Sequence, residues 1–422
     1  MLKIWVIFLL EISINYILRP FVSDIETVQI VVVAINIFFV MIWLAQQKKN
    51  IRLILILAFI ARICAMFFDL YTQTLTDMNS DISGYLLHGK FAEFSFSANT
   101  YGGVYSDILG VLFRFTGYSQ LMAQYLNVLL GIMAVYIVYL CTEKIELQSK
   151  LQSRIVLLFA VFPYSIYNSC VTYRETFIAT LCTASCFFAL LWYLKIKMRY
   201  MFLCISCILL ASMFHAGVIV LGISYVILFS FYSPVRKKFV FRKNTLIILF
   251  VACTCLVGLA VAFPELFLGK FLGAIEDKEV IMNQFNISYG GSVYLKWLRA
   301  QTPLQAILFS PIKMFYLMLS PLPSGWRGLK DIVSFCADSL AYAYLLFNII
   351  KIRKKSDYTS FITAMLIGVL LVIFVFGIGT WTAGTAIRHR NKIFAVILML
   401  YAMSCKKREK SHIKGEIKLS KC

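Results

Sequence analysis

Two acidic residues stand four positions apart in one polar segment of the chain, Asp77 and Asp81. Four residues make about one helical turn, so both carboxylates can lie on one helix face, which Tyr85 and His88 continue. Two neighbouring carboxylates can hold a divalent cation, or one of them can take a proton from a hydroxyl nucleophile. A solvated helix with a polar face fits the same spacing, and on spacing alone it is the preferred interpretation.

A second group is Arg174 and Glu175, which follow Pro163 and open a long apolar run. The planar guanidinium of Arg174 matches phosphate oxygens and could clamp a phosphate. An arginine beside an apolar run is also a common anchor, with its stem in the apolar layer and its head in water. The residue types therefore leave both roles open, and Glu175 could orient the arginine.

The third group is the densest in positive charge and contains Arg388, His389, Arg390 and Lys392. Arg388 and Arg390 are two residues apart, which on a helix turns them about 200° from each other. One of the two is then expected to contact a phosphate first. The choice falls on Arg388, because the glycine at position 384 lets the backbone before it approach a headgroup closely.

The composition defines the class of protein in which these residues act. The chain has 422 residues, of which 61% are hydrophobic and 14% charged, against about 45–50% and about 25% in soluble domains. A single soluble core stops growing at about 250–300 residues, so this chain could not bury its apolar surface in water. A soluble enzyme, a disordered protein and a secreted disulfide scaffold are excluded, and a polytopic protein in a lipid bilayer remains.

The net charge of +21 is explained by the orientation of the chain in the membrane and does not indicate nucleic-acid binding. The basic residues fall in short clusters between apolar runs, as the positive-inside rule describes, so no nucleic-acid partner is expected. The 12 cysteines lie mostly within apolar runs, where packing explains them better than zinc binding does.

Apolar runs of about 20 residues predict an all-α fold, a polytopic transmembrane helix bundle with about 12 crossings. The predicted spans are 2–19, 29–46, 52–70, 120–141, 154–171, 176–194, 200–214, 217–232, 245–262, 330–350, 359–377 and 391–405. The run 304–323 is interrupted by proline, and a crossing there would move the basic cluster 351–355 outside. It is therefore predicted to be re-entrant or interfacial.

Orientation follows from the basic clusters, which all face the cytoplasm in this arrangement, with both termini inside. Residues 1–405 then form one transmembrane domain with extracytoplasmic loops 71–119 and 263–329, followed by a basic cytoplasmic tail, 406–422. All three candidate groups lie on the outer face. Positive charge is unusual there, so the cations at 388–392 indicate an anionic ligand. Trp326 and Arg327 are further candidates for lining a sugar or phosphate groove.

Four short motifs occur along the chain in a defined order. They are Asp81-x-x-x-Tyr85 with Ala92, Val104-Tyr105 and Asn127–Gly131; Phe162-Pro163 leading to Arg174-Glu175; Ser310-Pro311 running to Pro321–Trp326; and Gly384-Thr385-x-x-Arg388-His389-Arg390. This order resembles the GT-C superfamily of integral-membrane glycosyltransferases, and within it the bacterial group related to glycosyltransferase family 39. The motifs span roughly residues 77–390, so the resemblance covers most of the chain.

The resemblance implies a GT-C-like bundle that uses a polyprenyl-phosphate-linked sugar as donor. An acidic residue of the first outer loop, Asp81 or else Asp77, would act as the base. Basic residues would hold the lipid phosphate, here Arg174, Arg388, His389 and Arg390. No cofactor is assigned, and a divalent cation on the two aspartates stays open.

The expected function is inverting transfer of a sugar to a saccharide or lipid-linked acceptor. It would take place on the extracytoplasmic face of a bacterial cytoplasmic membrane, in the synthesis of surface polysaccharide. A polymerase of O-antigen or capsule repeat units and a flippase for lipid-linked saccharide are the alternatives. A transporter should carry charged groups through its helix midplanes. Here the spans are nearly free of charge at mid-depth, apart from Glu11, Arg62 and Asp338, which favours an enzyme.

Overall fold

The structure is a computed structural model of the chain and describes residues 2–22, 24–75, 80–91, 102–241, 245, 254, 258 and 291–407. Most of these residues are helical, which confirms the predicted helical class. The first α-helices are α1 Leu2–Leu18, α2 Ile25–Ala45, α3 Lys49–Thr72, α4 Ser80–Phe91, α5 Val104–Thr116, α6 Gln120–Lys144, α7 Ser149–Ala160, α8 Pro163–Cys170, α9 Glu175–Lys195, α10 Met198–Phe214 and α11 Gly222–Phe231.

The second part of the chain begins with a small antiparallel pair, β1 Tyr232–Ser233 and β2 Lys238–Phe239. The helices that follow the pair are α12 Pro303–Leu319, α13 Leu329–Ser334, α14 Leu340–Ile352, α15 Thr359–Ile378, α16 Ala383–Asn391 and α17 Phe394–Cys405. A π-helical turn, Phe335–Ser339, joins α13 to α14. Short 3₁₀ turns occupy Arg19–Phe21, Ala216–Leu221, Pro323–Gly325 and Arg353–Lys355.

Seven helices within the described residues are long and apolar enough to cross a membrane. They are Lys3–Phe21, Ile25–Ala45, Lys49–Thr72, Gln120–Lys144, Glu175–Lys195, Leu329–Lys355 and Thr359–Ile378. Three other predicted spans form shorter apolar helices, namely Met198–Phe214, Ala216–Phe231 and Phe394–Cys405. The predicted re-entrant run corresponds to α12, and the predicted span 245–262 lies almost wholly outside the described residues.

The predicted span 154–171 is broken into α7 and α8. Pro163 has no N–H to continue the helix, and it starts α8 as the first helical residue. Arg62 of α3 lies at the break, where its Nη1 donates to the carbonyl of Ala160 at 3.0 Å and its Nη2 to Ser165 Oγ at 2.8 Å. These bonds replace backbone pairing that the proline removes, as irregular backbone inside a membrane protein requires.

Side-chain caps define where several helices begin. Asp24 accepts from two backbone N–H groups of α2, Ser119 accepts from Met122 N of α6, and Thr382 accepts from Thr385 N of α16. Each cap satisfies an N–H that the first helical turn leaves unpaired. The last cap is important for the site, because it sets the start of the short helix that carries Arg388.

Among the seven long apolar helices, α6 and α9 are the most enclosed, whereas α1 to α3 bury one face each. Polar residues on those buried faces bond one another. Asn36 Nδ2 donates to Glu11 Oε2 at 3.0 Å, and the hydroxyl of Tyr125 donates to Asn36 Oδ1 at 2.8 Å. Pairing of this kind lowers the cost of keeping polar groups away from water.

Different groups of charged residues lie at the two ends of the bundle. At one end, Lys48 lies 2.5 Å from Glu143, and Lys406 Nζ donates to the carbonyl of Glu146 at 3.2 Å, so the start of α3 and the ends of α6 and α17 meet. These are positions that the sequence assigned to one side of the membrane. The start of α9 and the helix α16 lie at the other end.

Candidate functional site

Three segments that are far apart in the chain meet around the guanidinium of Arg388 on α16. Arg388 Nε donates to Glu175 Oε1 at 2.6 Å, at the start of α9. Its Nη1 donates to Asp81 Oδ2 of α4, and its Nη2 donates to the hydroxyl of Tyr85 at 3.3 Å. The sequence singled out Asp81, Glu175 and Arg388 in three separate segments. In the structure, the guanidinium of Arg388 contacts both carboxylates.

Aromatic rings and a second arginine complete the surroundings of this contact. The guanidinium carbon of Arg388 lies 4.6 Å from the ring centre of Tyr173, and that of Arg174 lies 5.7 Å from the ring centre of Tyr85. Arg174 Nε lies 3.9 Å from Glu175 Oε1. The two contacts between a guanidinium and a tyrosine ring are cation–π interactions, which help to keep each arginine in place in a poorly hydrated site.

A third cation reaches the same carboxylate from the end of α16. Lys392 Nζ lies 3.8 Å from Glu175 Oε1, and both side chains are fully buried. We call this group the Arg388 cluster, which consists of Asp81, Tyr85, Tyr173, Arg174, Glu175, Arg388 and Lys392. It contains three cations and two carboxylates, so its described charges leave an excess of one positive charge.

Two polar atoms of the Arg388 cluster are buried without a hydrogen bond. Within the part of the chain that the structure describes, Glu175 Oε2 has no donor and Arg174 Nε has no acceptor within hydrogen-bonding geometry. Buried polar atoms without partners are uncommon and costly, at about 1–3 kcal/mol each. An acceptor and a donor side by side with excess positive charge suit an anionic ligand that also carries hydroxyl groups.

The backbone of the turn before α9 is fixed from α6. Asn127 Nδ2 donates to the carbonyls of Val171 and Tyr173, at 2.6 and 3.0 Å, and it is fully buried. The hydroxyl of Thr176 donates to the carbonyl of Asn168 at 2.5 Å, which closes the turn from its other side. These bonds hold Arg174 and Glu175 at the end of the bundle where Arg388 arrives.

The protonation of two cluster residues follows from their surroundings. Burial raises the pKa of Tyr85 to about 12, so the phenol stays neutral. Burial by itself would lower the pKa of Arg388, but the Glu175 carboxylate and the neighbouring Asp81 raise it well above its ordinary value. The arginine is therefore a permanent cation.

His389 lies beside the Arg388 cluster and is a neutral group. Its ring stacks on Phe376 with centroids 4.4 Å apart, its Nδ1 lies 2.9 Å from Lys392 Nζ, and the ring of His215 is 5.2 Å away. Burial, together with the positive charge of Lys392, lowers the pKa of His389 well below its usual value. A neutral imidazole can accept a hydrogen bond from a cation but cannot neutralise a phosphate.

Arg390 lies in a different environment from Arg388, as expected for two residues about 200° apart on a helix. Its Nε donates to Asp338 Oδ2 at 2.7 Å, and its Nη1 donates to the carbonyl of Ser320 at 2.6 Å and that of Met318 at 3.0 Å. The side chain is buried, so these bonds tie α16 to the ends of α12 and the π-helical turn. The structure gives Arg390 a fully protein-bound position outside the Arg388 cluster.

The other candidates lie elsewhere. The side chain of His88 is exposed on α4. Trp326 Nε1 donates to the carbonyl of Pro321 at 3.0 Å, and Arg327 pairs with Asp331 at 3.6 Å. The bond of Trp326 lies within its own loop, and the ion pair of Arg327 connects that loop to α13.

The sequence left open a divalent cation on the two aspartates of the first outer loop. Asp77 lies outside the described residues. Within the described ranges, no group of three His, Cys, Asp or Glu side chains could hold a metal ion. Asp81 forms an ion pair with Arg388.

Tyr173 is a cluster member that the sequence did not select, and Lys392 was named only as part of the cationic group at 388–392, without a role of its own. Lys392 follows Arg388 by four residues, one helical turn, so the spacing places both cations on one face of α16 and could have paired the lysine with Arg388. Tyr173 and the supporting Asn127 make contacts across the fold that residue type and spacing do not indicate. No family model, curated protein or solved structure matches this chain.

Proposed function

We propose that the chain is an inverting glycosyltransferase that takes a sugar from a polyprenyl-phosphate donor and passes it to a saccharide or lipid-linked acceptor. The observation that carries this proposal is the Arg388 cluster, where three partly or fully buried cations outnumber two carboxylates and where one acceptor and one donor atom lack partners within the described residues. The cluster lies at one end of an apolar helical bundle. A lipid-linked donor could reach this end from the bilayer while its isoprenoid chain stays in hydrocarbon.

The cations would stabilise the leaving phosphate. A phosphate diester carries one negative charge, which would balance the described charges of the cluster. Arg388 and Arg174 offer planar guanidinium groups that match phosphate oxygens, and Lys392 adds a point charge. Preorganised charge in a poorly hydrated site stabilises a developing anion more than the same charge would in water.

Asp81 is the proposed base, and the structure suggests how it becomes available. The Asp81 side chain is 31% exposed, whereas that of Glu175 is fully buried and lies near three cations. An incoming phosphate would therefore compete with Asp81 for Arg388 and leave the Glu175 contact in place. Released from the guanidinium, Asp81 would be a stronger base for the acceptor hydroxyl. Donor binding would thus precede activation of the acceptor.

The proposed arrangement in the membrane has about 12 crossings in a GT-C-like bundle, with the Arg388 cluster on the extracytoplasmic face of a bacterial cytoplasmic membrane. The meeting of Lys48, Glu143, Glu146 and Lys406 at the opposite end supports this orientation. Both termini would be cytoplasmic. A divalent cation on Asp77 and Asp81 is a separate proposal, which activity measurements with and without a chelator would test.

The intramembrane charges support an enzyme more than a flippase. Arg62 donates to Ala58 and Ala160 carbonyls, and Asp338 pairs with Arg390 in a buried site. Glu11 accepts from Asn36. Each of the three mid-depth charges therefore has at least one protein partner, although Glu11 Oε1, Arg62 Nε and Asp338 Oδ1 are buried without one among the residues that the structure describes. The Arg388 cluster differs in its excess of cations over carboxylates, and it lies at one end of the bundle.

Analysis of surface polysaccharide and lipid-linked sugars in a deletion strain tests the function. The proposal expects a missing side-chain sugar with unchanged polymer length, restored by the wild-type gene and not by an Arg388→Ala variant. Accumulated single repeat units would indicate a polymerase. Intermediates trapped on the cytoplasmic leaflet would indicate a flippase, and either result would overturn the transferase assignment.

A further inference from the structure

Residues 292–300 form a short segment that is fixed to the start of α16. Tyr294 N donates to the carbonyl of Trp381 at 2.9 Å, and Ala383 N donates to the carbonyl of Ser292 at 3.0 Å. This antiparallel pairing surrounds the bridge between positions 293 and 382. The segment therefore has a defined place at the same end of the bundle as the Arg388 cluster.

A tight turn in this segment separates buried residues from exposed ones. Leu298 N donates to the carbonyl of Leu295 at 2.8 Å, and both leucines pack against Trp381. Between them, at the tip of the turn, stand Lys296 and Trp297. The indole of Trp297 is 75% exposed, although a tryptophan is costly to leave in water.

The surroundings of the tip combine positive charge with apolar surface. Lys296 and Arg299 are both exposed, and neither forms an ion pair with any residue that the structure describes. The helix α12 begins a few residues later, and its first two turns expose Leu304 by 66% and Leu308 by 65%. The tip thus stands beside a helix face that suits hydrocarbon.

We propose that Lys296, Trp297 and Arg299 form a binding surface for the headgroups of anionic phospholipids in the surrounding leaflet. Tryptophan and basic residues next to an apolar helix face are the side chains that favour the membrane–water interface. The two cations would attract a phosphate-bearing headgroup with net negative charge, each contributing about a fivefold preference at low salt. A soluble acidic polymer would leave the adjacent leucines in water, so lipid fits the whole surface better.

Quenching of Trp297 by brominated lipids tests the surface directly. The full-length protein is placed in nanodiscs of phosphatidylcholine that contain increasing fractions of brominated phosphatidylglycerol or, in parallel, brominated phosphatidylcholine. The signal of Trp297 is the difference between the wild type and Trp297→Phe. The anionic lipid is expected to quench this signal at a lower mole fraction than the neutral lipid, with a difference that shrinks as salt is added.

Charge variants then assign the preference to the turn. The double substitution Lys296→Gln, Arg299→Gln should remove most of the preference, by about fivefold for each charge, while near-ultraviolet circular dichroism stays unchanged. The matched control is Lys354→Gln, an exposed cation at the opposite end of the bundle, which should leave the quenching of Trp297 unaltered.

Three results would overturn the proposal. Equal quenching by both lipids, or a preference that survives the double substitution, would show that these cations do not select the headgroup. No quenching by either lipid would place Trp297 in water or against another protein chain. Competition by inorganic phosphate at constant ionic strength would indicate an ion site instead of a lipid surface. None of these measurements depends on enzymatic activity, so they leave the proposed function untouched.

Discussion

Arg388 and Glu175 are 213 residues apart in the chain, and their side chains meet at 2.6 Å. The contact joins the helix α16 to the first residue of a helix long enough to span a membrane. Because the carboxylate is fully buried, its partner must be a cation held by the fold. The same guanidinium also reaches Asp81, so one residue connects the three sequence groups.

The turn that carries Arg174 and Glu175 should depend on Asn127. The substitution Asn127→Leu keeps the volume but leaves the carbonyls of Val171 and Tyr173 without their donor. We expect a loss of about 1–3 kcal/mol in the free energy of unfolding and a lower kcat in the transfer assay. Thermal unfolding in detergent measures the first effect. The control is Asn50→Leu, which loses two hydrogen bonds to α7 at the other end of the bundle and should leave kcat unchanged.

The sequence identified the chemistry of the site better than its supports. Asp81, Arg174, Glu175 and Arg388 were singled out by residue type and, for Arg388, by positive charge on the outer face, where it is unusual. All four belong to the Arg388 cluster. The partner of Arg390 could not be predicted, because a buried ion pair between residues 52 positions apart depends on how the π-helical turn Phe335–Ser339 lies against α16.

The lengths of individual helices were also only partly predictable from the sequence. Hydropathy located the apolar runs, but it could not show that α7 and α8 form a broken segment. That break depends on Pro163 and on donors from Arg62, a residue about 100 positions away on another helix. Periodicity reports the apolar face of one helix and carries no information on such cross-helix bonds.

Arg390 should matter for stability and not for donor binding. Removing one partner of its buried pair with Asp338, by Arg390→Met or Asp338→Leu, should destabilise the fold by about 3–5 kcal/mol. The combined variant should be less destabilised than either single variant, because it leaves no unpaired buried charge. Unfolding midpoints of the three variants give the comparison. A strictly additive double variant would mean that the two residues do not act as a pair.

His389 should make the fold less stable in acid. Its pKa is well below the usual value in the folded state, so the unfolded chain binds a proton first as the pH falls. The stabilising contribution is complete above about pH 6.5 and is lost below it, with a slope of at most about 1.4 kcal/mol per pH unit. Unfolding midpoints are measured from above to below about pH 6.5. Their dependence on pH should be weaker in His389→Asn than in the wild type and unchanged in the control His88→Asn. Identical profiles in wild type and His389→Asn would refute this account of the imidazole.

The two ends of the bundle should lie on opposite sides of the membrane. With native cysteines replaced, Ser83→Cys on α4 should react with an impermeant maleimide in intact cells. Lys354→Cys should react only after permeabilisation, since the cluster 351–355 is expected inside. The reverse pattern would invert the proposed orientation and move the Arg388 cluster to the cytoplasmic face.

Titration of the lipid-linked donor with purified variants tests the central claim most directly. Arg388→Ala should lower kcat/KM for the donor by about 10–100-fold, the value of a charge-assisted hydrogen bond to phosphate, and Arg388→Lys should lower it less. Asp81→Asn should instead lower kcat by about 10²–10⁴ with little change in KM, as expected for a lost base. Arg327→Ala, an exposed arginine outside the cluster, is the matched control and should behave as wild type. Wild-type kcat/KM in a folded Arg388→Ala protein would contradict the assignment of this cluster as the donor-phosphate site.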